Sequence, residues 1–370
     1  MCIILRFACH TPETTLIDLN DAKAIGEHDP QGMFKHIAAL PDQCEAAWRD
    51  AQQVRLPSAY QAVSQVVICG MGGSAIGGAL LRSLAAPKAR IPIHVVRDYA
   101  LPAFVSGPST LVIGASYSGD TEETLSAFGQ GRERGCQLLG IASGGQIAQM
   151  TQQFGAPFLS IPYRSQPRAA LGYAFASLLN FASRLGWMED QAAHLTEATT
   201  VMRTWNAELG PESPVVRNLA KREAGQMIGR FVIVYGAGYF ADVARRWKGQ
   251  VNENGKNFAA LEVLPEADHN ALLGSSFPDD IAQRLKVIFL TGSSDHPRNA
   301  ARAEATRQIL MLQGCDTDIL SARGHSPLAQ MLSLIQLGDW IGGYLGVLNG
   351  ADPSDTDLLL EFKKRMARIT

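Results

Sequence analysis

Cysteine, charge and uninterrupted apolar sequence are all scarce in this 370-residue chain, and each scarcity excludes something. The six cysteines, at 2, 9, 44, 69, 136 and 315, include no C-x-x-C pair, and a chain of this length needs no disulfide staples. Free thiols in a reducing compartment, the cytoplasm, are expected. Charged residues make up 18%, and Lys+Arg 33 against Asp+Glu 35 gives a net charge of -2, so no basic surplus points to nucleic acid. The eight histidines show no metal-ligand spacing. The start, Met1 to His10, is broken by Arg6 and lacks the long apolar centre of a signal peptide. Only Leu328 to Leu348 approaches membrane-spanning length. Gln336, Asp339, Gly342 and Gly343 interrupt it, so a buried or interface helix is expected and no membrane partner.

What is present is an α/β rhythm. Hydrophobic residues reach 46%, enough for a large core, and the length fits two domains. Residues 20–60 read as helical. Gln65 to Cys69 is a short β-branched run, followed by the turn Gly70-Met71-Gly72-Gly73-Ser74 and a helix from Ala75 to Leu84. Strands are expected at Ile91 to Val96, Leu111 to Ala115 and Gln137 to Ala142. The second of these ends at Ser116-Tyr117-Ser118-Gly119-Asp120-Thr121, before a helix from Glu122 to Arg134. The pattern returns at Phe231 to Tyr235, with Gly236-Ala237-Gly238 and a helix through Trp247, and at Lys286 to Leu290, with Thr291-Gly292-Ser293-Ser294-Asp295 and a helix from Arg298 to Leu312. Such alternation predicts parallel sheets covered by helices on both faces, in two units of one type.

Gly70 to Ala75 and Gly236 to Ala241 each fit G-x-G-x-x-A, which by itself suggests a dinucleotide fold or merely a tight turn. At the first turn the dinucleotide reading fails on detail. Arg97 and Asp98 follow the second strand, leaving no acid clearly placed for a ribose, and no lysine follows the glycines as a Walker A loop requires. Instead Ser74, Ser116, Ser118 and Thr121 gather at two helix N-termini, where unpaired N–H groups and the helix dipole favour an anion. A phosphate monoester held without metal or cofactor fits them.

Together with Pro167-Arg168-Ala169-Ala170-Leu171, Asn252-Glu253-Asn254-Gly255-Lys256, Pro265-Glu266-Ala267-Asp268-His269-Asn270 and the Lys363 region, these turns resemble the sugar isomerase (SIS) domain, and within it the bifunctional phosphoglucose/phosphomannose isomerase family. The likeness runs from about residue 60 to the C-terminus. It implies two SIS-type three-layer α/β/α domains with parallel sheets, plus N-terminal helices. The expected division is 1–59, a helical segment; 60–190 and 205–350, the two SIS domains; and 351–370, a C-terminal helix returning to the active site.

The implied reaction interconverts glucose 6-phosphate, and mannose 6-phosphate, with fructose 6-phosphate through a cis-enediolate, with no cofactor. Such a reaction needs a base to carry a proton between C2 and C1, a group to stabilise the enediolate, a ring-opening pair and a phosphate anchor. The resemblance gives Glu253 as base, ahead of Glu266, and Arg168 as the guanidinium facing the enediolate. His269 would open the ring, reaching the active site from the other subunit of a homodimer. Lys363 falls on the same helical face as Leu359, Phe362 and Met366, at i, i+3, i+4 and i+7 spacing, whereas Lys364 points elsewhere. Thr356, seven residues earlier, matches the position linked to acceptance of mannose phosphate. Gly72, Gly73, Ser74, Ser116, Ser118 and Thr121 would hold the phosphate. The competing readings are an SIS isomerase for another sugar phosphate, a non-catalytic sugar-phosphate sensor, and an NADP-binding oxidoreductase.

Overall fold

Valine- and isoleucine-rich runs between glycine turns become strands because branched side chains suit a pleated surface covered on both faces. The computed structural model describes residues 17–368, so the expectation for Met1 to His10, and Cys2 and Cys9, fall outside the described residues. Helices α1 (Ala22–Glu27), α2 (Met33–Ala38) and α3 (Leu40–Gln53) come first. They lead to β1 (Gln65–Cys69), α4 (Gly72–Ala85), β2 (Ile93–Val96), β3 (Thr110–Ala115), α5 (Glu122–Glu133), β4 (Gln137–Ala142), α6 (Gly145–Phe154) and β5 (Phe158–Ser160). Three helices follow, α7 (Leu171–Arg184), α8 (Ala192–Leu209) and α9 (Leu219–Met227). The second unit comprises β6 (Phe231–Ala237), α10 (Ala241–Glu253), β7 (Ala259–Leu264), α11 (Asp279–Ala282), β8 (Leu285–Thr291), α12 (Pro297–Leu312), β9 (Asp316–Ser321) and α13 (Pro327–Leu348), and the chain ends on α14 (Asp357–Met366).

Both sheets are wholly parallel, in the orders β2-β1-β3-β4-β5 and β7-β6-β8-β9. The first four positions share one topology, so the repeat suspected from the sequence is real at the level of strand order. Alternate residues divide between two faces, as the two-residue period of a strand requires. Val66, Ile68, Leu111 and Ile113 join one core with Leu80 of α4 and Phe175 of α7, while Val67, Cys69 and Val112 join another with Phe128 of α5 and Ile147 of α6. In the second sheet Val232, Val234, Ile288 and Leu290 face α10 and α13, and Tyr235, Val287 and Phe289 face Ala303 and Leu310 of α12. The larger core is therefore a shared layer of helices between the sheets, making the two units one packed body. Helix α13 runs through that layer. It is the one helix among the described residues long and apolar enough to cross a membrane, and 94% of its apolar window is buried within the protein. The four described cysteines are free and buried.

The second glycine turn repeats the first in backbone but not in content. Gly72 and Gly238 adopt φ of 47° and 49°, left-handed values that favour glycine. Where the first turn carries Ser74, the second carries Phe240, whose buried ring lies so close to Gly292 that a Cβ there would stand 2.7 Å from it. Gln330 of α13 completes the filling: its amide donates to Ser293 Oγ at 2.7 Å and its carbonyl accepts the Ser294 N–H at 3.0 Å. At the opposite end of this sheet Lys286, fully buried, meets Asp318 and the Gln226 side chain, with Asp316 at 3.3 Å and Glu223 at 3.9 Å. Burial pushes the Glu223 carboxyl up to about 7, against the pull of Lys286.

Candidate active site

The crevice lies at the C-terminal ends of β1 and β3, where strand order reverses and the loops part. The structure brings Gly72, Gly73, Ser74, Ser116, Ser118 and Thr121 together there on two adjoining turns. Ser74 Oγ accepts the Tyr117 N–H at 2.9 Å and ties the turns together. Ser116 Oγ accepts the Gly119 N–H at 3.1 Å and shares a 2.9 Å bond with Thr121 Oγ1; Ser118 Oγ accepts the Asp120 N–H at 3.2 Å. Ser74 and Ser116 are buried, Thr121 is half-buried and Ser118 is exposed. In the contacts to Tyr117 and Asp120 the serine oxygens act only as acceptors, so the Ser74 and Ser118 hydroxyl protons are available to an anion.

Arg168 reaches this crevice because Gly73 has no side chain. A Cβ on Gly73 would stand 2.8 Å from the Arg168 nitrogen and 2.8 Å from the Pro167 carbonyl carbon. Arg168 sits in a short 3-10 turn, Pro167–Ala169, ahead of α7, and is 2% exposed. Its Nε donates to Asn254 Oδ1, its Nη2 donates to the Pro353 carbonyl at 2.7 Å, and its Nη1 lies 3.6 Å from Glu253 Oε2. Burial lowers its pKa and the Glu253 carboxylate opposes that shift; a guanidinium starts so high that it stays charged. Glu253 ends α10 with its side chain 36% exposed, so it is open on one side and paired on the other. Lys256, at φ 52°, folds back to donate to the carbonyls of Glu253 and Asp355, the latter at 2.9 Å. Burial and nearby Arg168 both lower its pKa.

Beneath this cluster lies a buried ion pair that the sequence reading missed. Arg246 of α10 meets Asp339 of α13 through two bonds of 3.0 and 2.7 Å and donates to the Arg168 carbonyl at 2.8 Å. Burial raises the Asp339 carboxyl, and Arg246 holds it down. Removing either partner alone would strand a buried charge at a cost of about 3–5 kcal/mol. Arg246 is 4% exposed. The signal that could have found it was the single acid in an otherwise uncharged 22-residue apolar helix, which demands a cation opposite. Asn254 was within a quoted motif but had no assigned role, and its side chain is the one that fixes Arg168.

The remaining candidates make no hydrogen bond or ion pair with Arg168 or Glu253 among the described residues. Thr356 is half-buried at the start of α14, one residue beyond the Asp355 carbonyl that holds Lys256. Lys363 is on α14, but every residue of that helix is exposed, so the apolar face expected to bury it is uncovered in the single chain. His269 ends a 3-10 turn, Glu266–His269, after the edge strand β7 and is exposed. Among the described residues no hydrogen bond or ion pair joins His269 or Lys363 to Arg168 or Glu253. Glu266, the alternative base, is exposed and accepts from the Asn270 amide at 2.8 Å. No group of His, Cys, Asp or Glu with metal-binding geometry occurs among the described residues.

Two parallel-sheet α/β units, hydroxyl-bearing turns on the first and an Arg168–Glu253 contact to the second belong to a fold of the SIS class, that of the phosphosugar isomerases. Residues 216–366 match the family model of the bacterial phospho-glucose isomerase C-terminal SIS domain. The fold superposes on a hypothetical protein from Thermus thermophilus with a TM-score of 0.72 at 18% identity, covering 95% of this chain and 94% of that one. Over 338 residues the chain is 37% identical to the bifunctional phosphoglucose/phosphomannose isomerase of Caldicellulosiruptor bescii, spanning 91% of this chain and 99% of the relative. Over 337 residues it is 34% identical to the enzyme of that name from Aquifex aeolicus, spanning 91% and 98%. The chain belongs to the bifunctional phosphoglucose/phosphomannose isomerase family.

Proposed function

We propose that the chain interconverts glucose 6-phosphate and mannose 6-phosphate with fructose 6-phosphate, in a site made by residues 60–190 and 205–350 and approached by 351–370. The observation that carries this reading is the buried Arg168. It touches the first unit's glycine turn and reaches the second unit's Glu253, so a sugar anchored at the crevice extends toward both.

The phosphate is received by the Ser74 and Ser118 hydroxyls, by Thr121 and by the N–H groups around Gly72 and Gly73. This remote anchor contributes the binding energy that positions C1 and C2. His269 from a partner subunit, together with Lys363, assists ring opening. Glu253 then takes the proton from C2 and returns it to C1, while the hydroxyl proton on O2 passes to O1, so that the aldehyde becomes an alcohol and C2 a ketone. Negative charge moves onto the C1 and C2 oxygens, and Arg168, already desolvated and locked by Asn254 and Pro353, faces it without needing to reorganise. Return of the proton to either face of C2 gives the glucose or the mannose epimer, and a small Thr356 leaves room for the intermediate to turn.

The test is a coupled assay of the purified chain with fructose 6-phosphate, measuring both aldose phosphates formed, beside Glu253→Gln. Turnover of both products is expected, with kcat at least about 100-fold lower in the variant and substrate still bound. Binding without turnover in the wild type would support a sensor instead. Near-normal turnover in Glu253→Gln would move the base to Glu266.

A further inference from the structure

Tyr117 stands between Ser116 and Ser118, yet its side chain takes no part in their turn. Its backbone does: the N–H donates to Ser74 Oγ at 2.9 Å, and the carbonyl accepts the Ser143 N–H at 2.9 Å and the Ser143 hydroxyl at 2.7 Å. The half-buried phenol reaches instead to the segment after β5. There its hydroxyl donates to the Tyr163 carbonyl at 2.7 Å and accepts the Ser165 N–H at 2.8 Å. Arg168 follows directly along the chain. Residues 162–166 belong to no helix or strand, and Pro162 and Pro167 have no N–H to donate. Among the described residues, the Tyr117 hydroxyl makes the only hydrogen bonds that join backbone groups of 162–165 to another part of the chain. The Tyr163 side chain is tethered away from the crevice, its hydroxyl 2.7 Å from His36 Nδ1 and its ring stacked 5.9 Å from Tyr173.

We propose that Tyr117 is a positioning residue: its hydroxyl fixes the 163–168 segment to the turn that receives the phosphate, and so sets where the Arg168 guanidinium stands relative to the anchored sugar. Asn254 and Pro353 hold the guanidinium relative to Glu253, but neither belongs to the phosphate turns. Toward those turns the loop has the packing of Gly73 on the Pro167–Arg168 backbone and the two bonds of the Tyr117 hydroxyl. A packing contact resists approach but not withdrawal; a hydroxyl that both donates and accepts resists both. The catalytic consequence rests on Arg168 facing the enediolate, as proposed above.

Tyr117→Phe keeps the ring and the backbone of the turn and removes only the hydroxyl. Its kcat with fructose 6-phosphate should fall about tenfold, less than a full 1 Å misplacement costs, while KM and the inhibition constant of inorganic phosphate stay within about twofold. In an Arg168→Lys background the same change should cost less than about twofold, because the hydroxyl acts through the guanidinium. Amide hydrogen exchange should quicken at least about tenfold in a peptide covering 161–169 and stay unchanged over 116–124. An unchanged kcat overturns the proposal. So does a phosphate constant that rises as far as kcat falls, which would give the hydroxyl a part in shaping the anion site itself. The full loss repeated in Arg168→Lys also overturns it, as a structural defect independent of the guanidinium. Unchanged exchange over 161–169 does the same without reference to activity. Near-normal turnover in Arg168→Lys overturns the site reading and takes this proposal with it, whereas a crippled Arg168→Lys beside a normal Tyr117→Phe overturns this proposal alone.

Discussion

Replacing Arg168 by lysine keeps one positive charge and removes the fork that holds it. In the wild type the guanidinium makes two hydrogen bonds, to Asn254 Oδ1 and the Pro353 carbonyl, while Nη1 stays directed to Glu253 at 3.6 Å. A lysine ammonium is a point donor on a flexible stem and cannot serve all three. At least one acceptor then stays buried and unpaired, and Asn254 already has an unpartnered Nδ2, so the loss in folding stability should be about 1–3 kcal/mol. The loss in catalysis should be larger than that suggests. A fixed donor facing developing charge is worth on the order of 10²–10³ in kcat, and the phosphate contacts lie elsewhere, so KM should change little. Urea unfolding gives the first quantity, and the coupled isomerase assay gives the second. A folded Arg168→Lys enzyme with kcat within about threefold of wild type would show that the guanidinium never meets the reacting oxygens, and the role assigned to it would fall.

Ser118→Ala should raise KM more than it lowers kcat, because it removes a donor to the phosphate and nothing near C1 or C2; unchanged KM in the Ser74, Ser118 and Thr121 alanine variants would place the phosphate elsewhere. Thr356→Gln should depress kcat/KM for mannose 6-phosphate more than for glucose 6-phosphate, and a constant ratio of the two would remove Thr356 from specificity. Glu223 should tilt stability with pH. Its carboxyl is raised from 4.5 to about 7, so its contribution is fully present below about 4.5 and is lost as pH rises through about 7, a loss of up to about 3 kcal/mol. Glu223→Gln should flatten that slope, read by urea unfolding at pH 5 and pH 8, and an unchanged slope would assign it to other groups.

The parallel sheets were legible because their central strands are apolar runs with glycine turns behind them, and the α13 segment was read as a buried or interface helix because Gln336, Asp339 and two glycines interrupt its apolar run. Three strands were not seen. β5 has three residues, β7 is a half-covered edge strand, and β9 begins Asp316-Thr317-Asp318, a polar start that makes sense only once Lys286 is found buried beside it. The hydroxyl-bearing turns could be picked out from local chemistry, since hydroxyls at a helix N-terminus carry their own rationale. Glu253 could not. Its neighbours Arg245, Arg246 and Lys248 look solvated along the chain, and only packing against α13 and the 167–169 turn sets Glu253 beside Arg168.

The filled crevice of the second unit changes how the repeat should be understood. Gly238 still makes the bend that Gly72 makes, but Phe240 and Gln330 have taken the room that bend creates. An aromatic ring and an amide there are permanent residents, present whether or not substrate is bound. The helix springing from that turn is α10, and its far end is Glu253. On the function proposed above, one half of the molecule would grip and release the substrate, while the other has become a mount, clamped at its root, that holds Glu253 against Arg168.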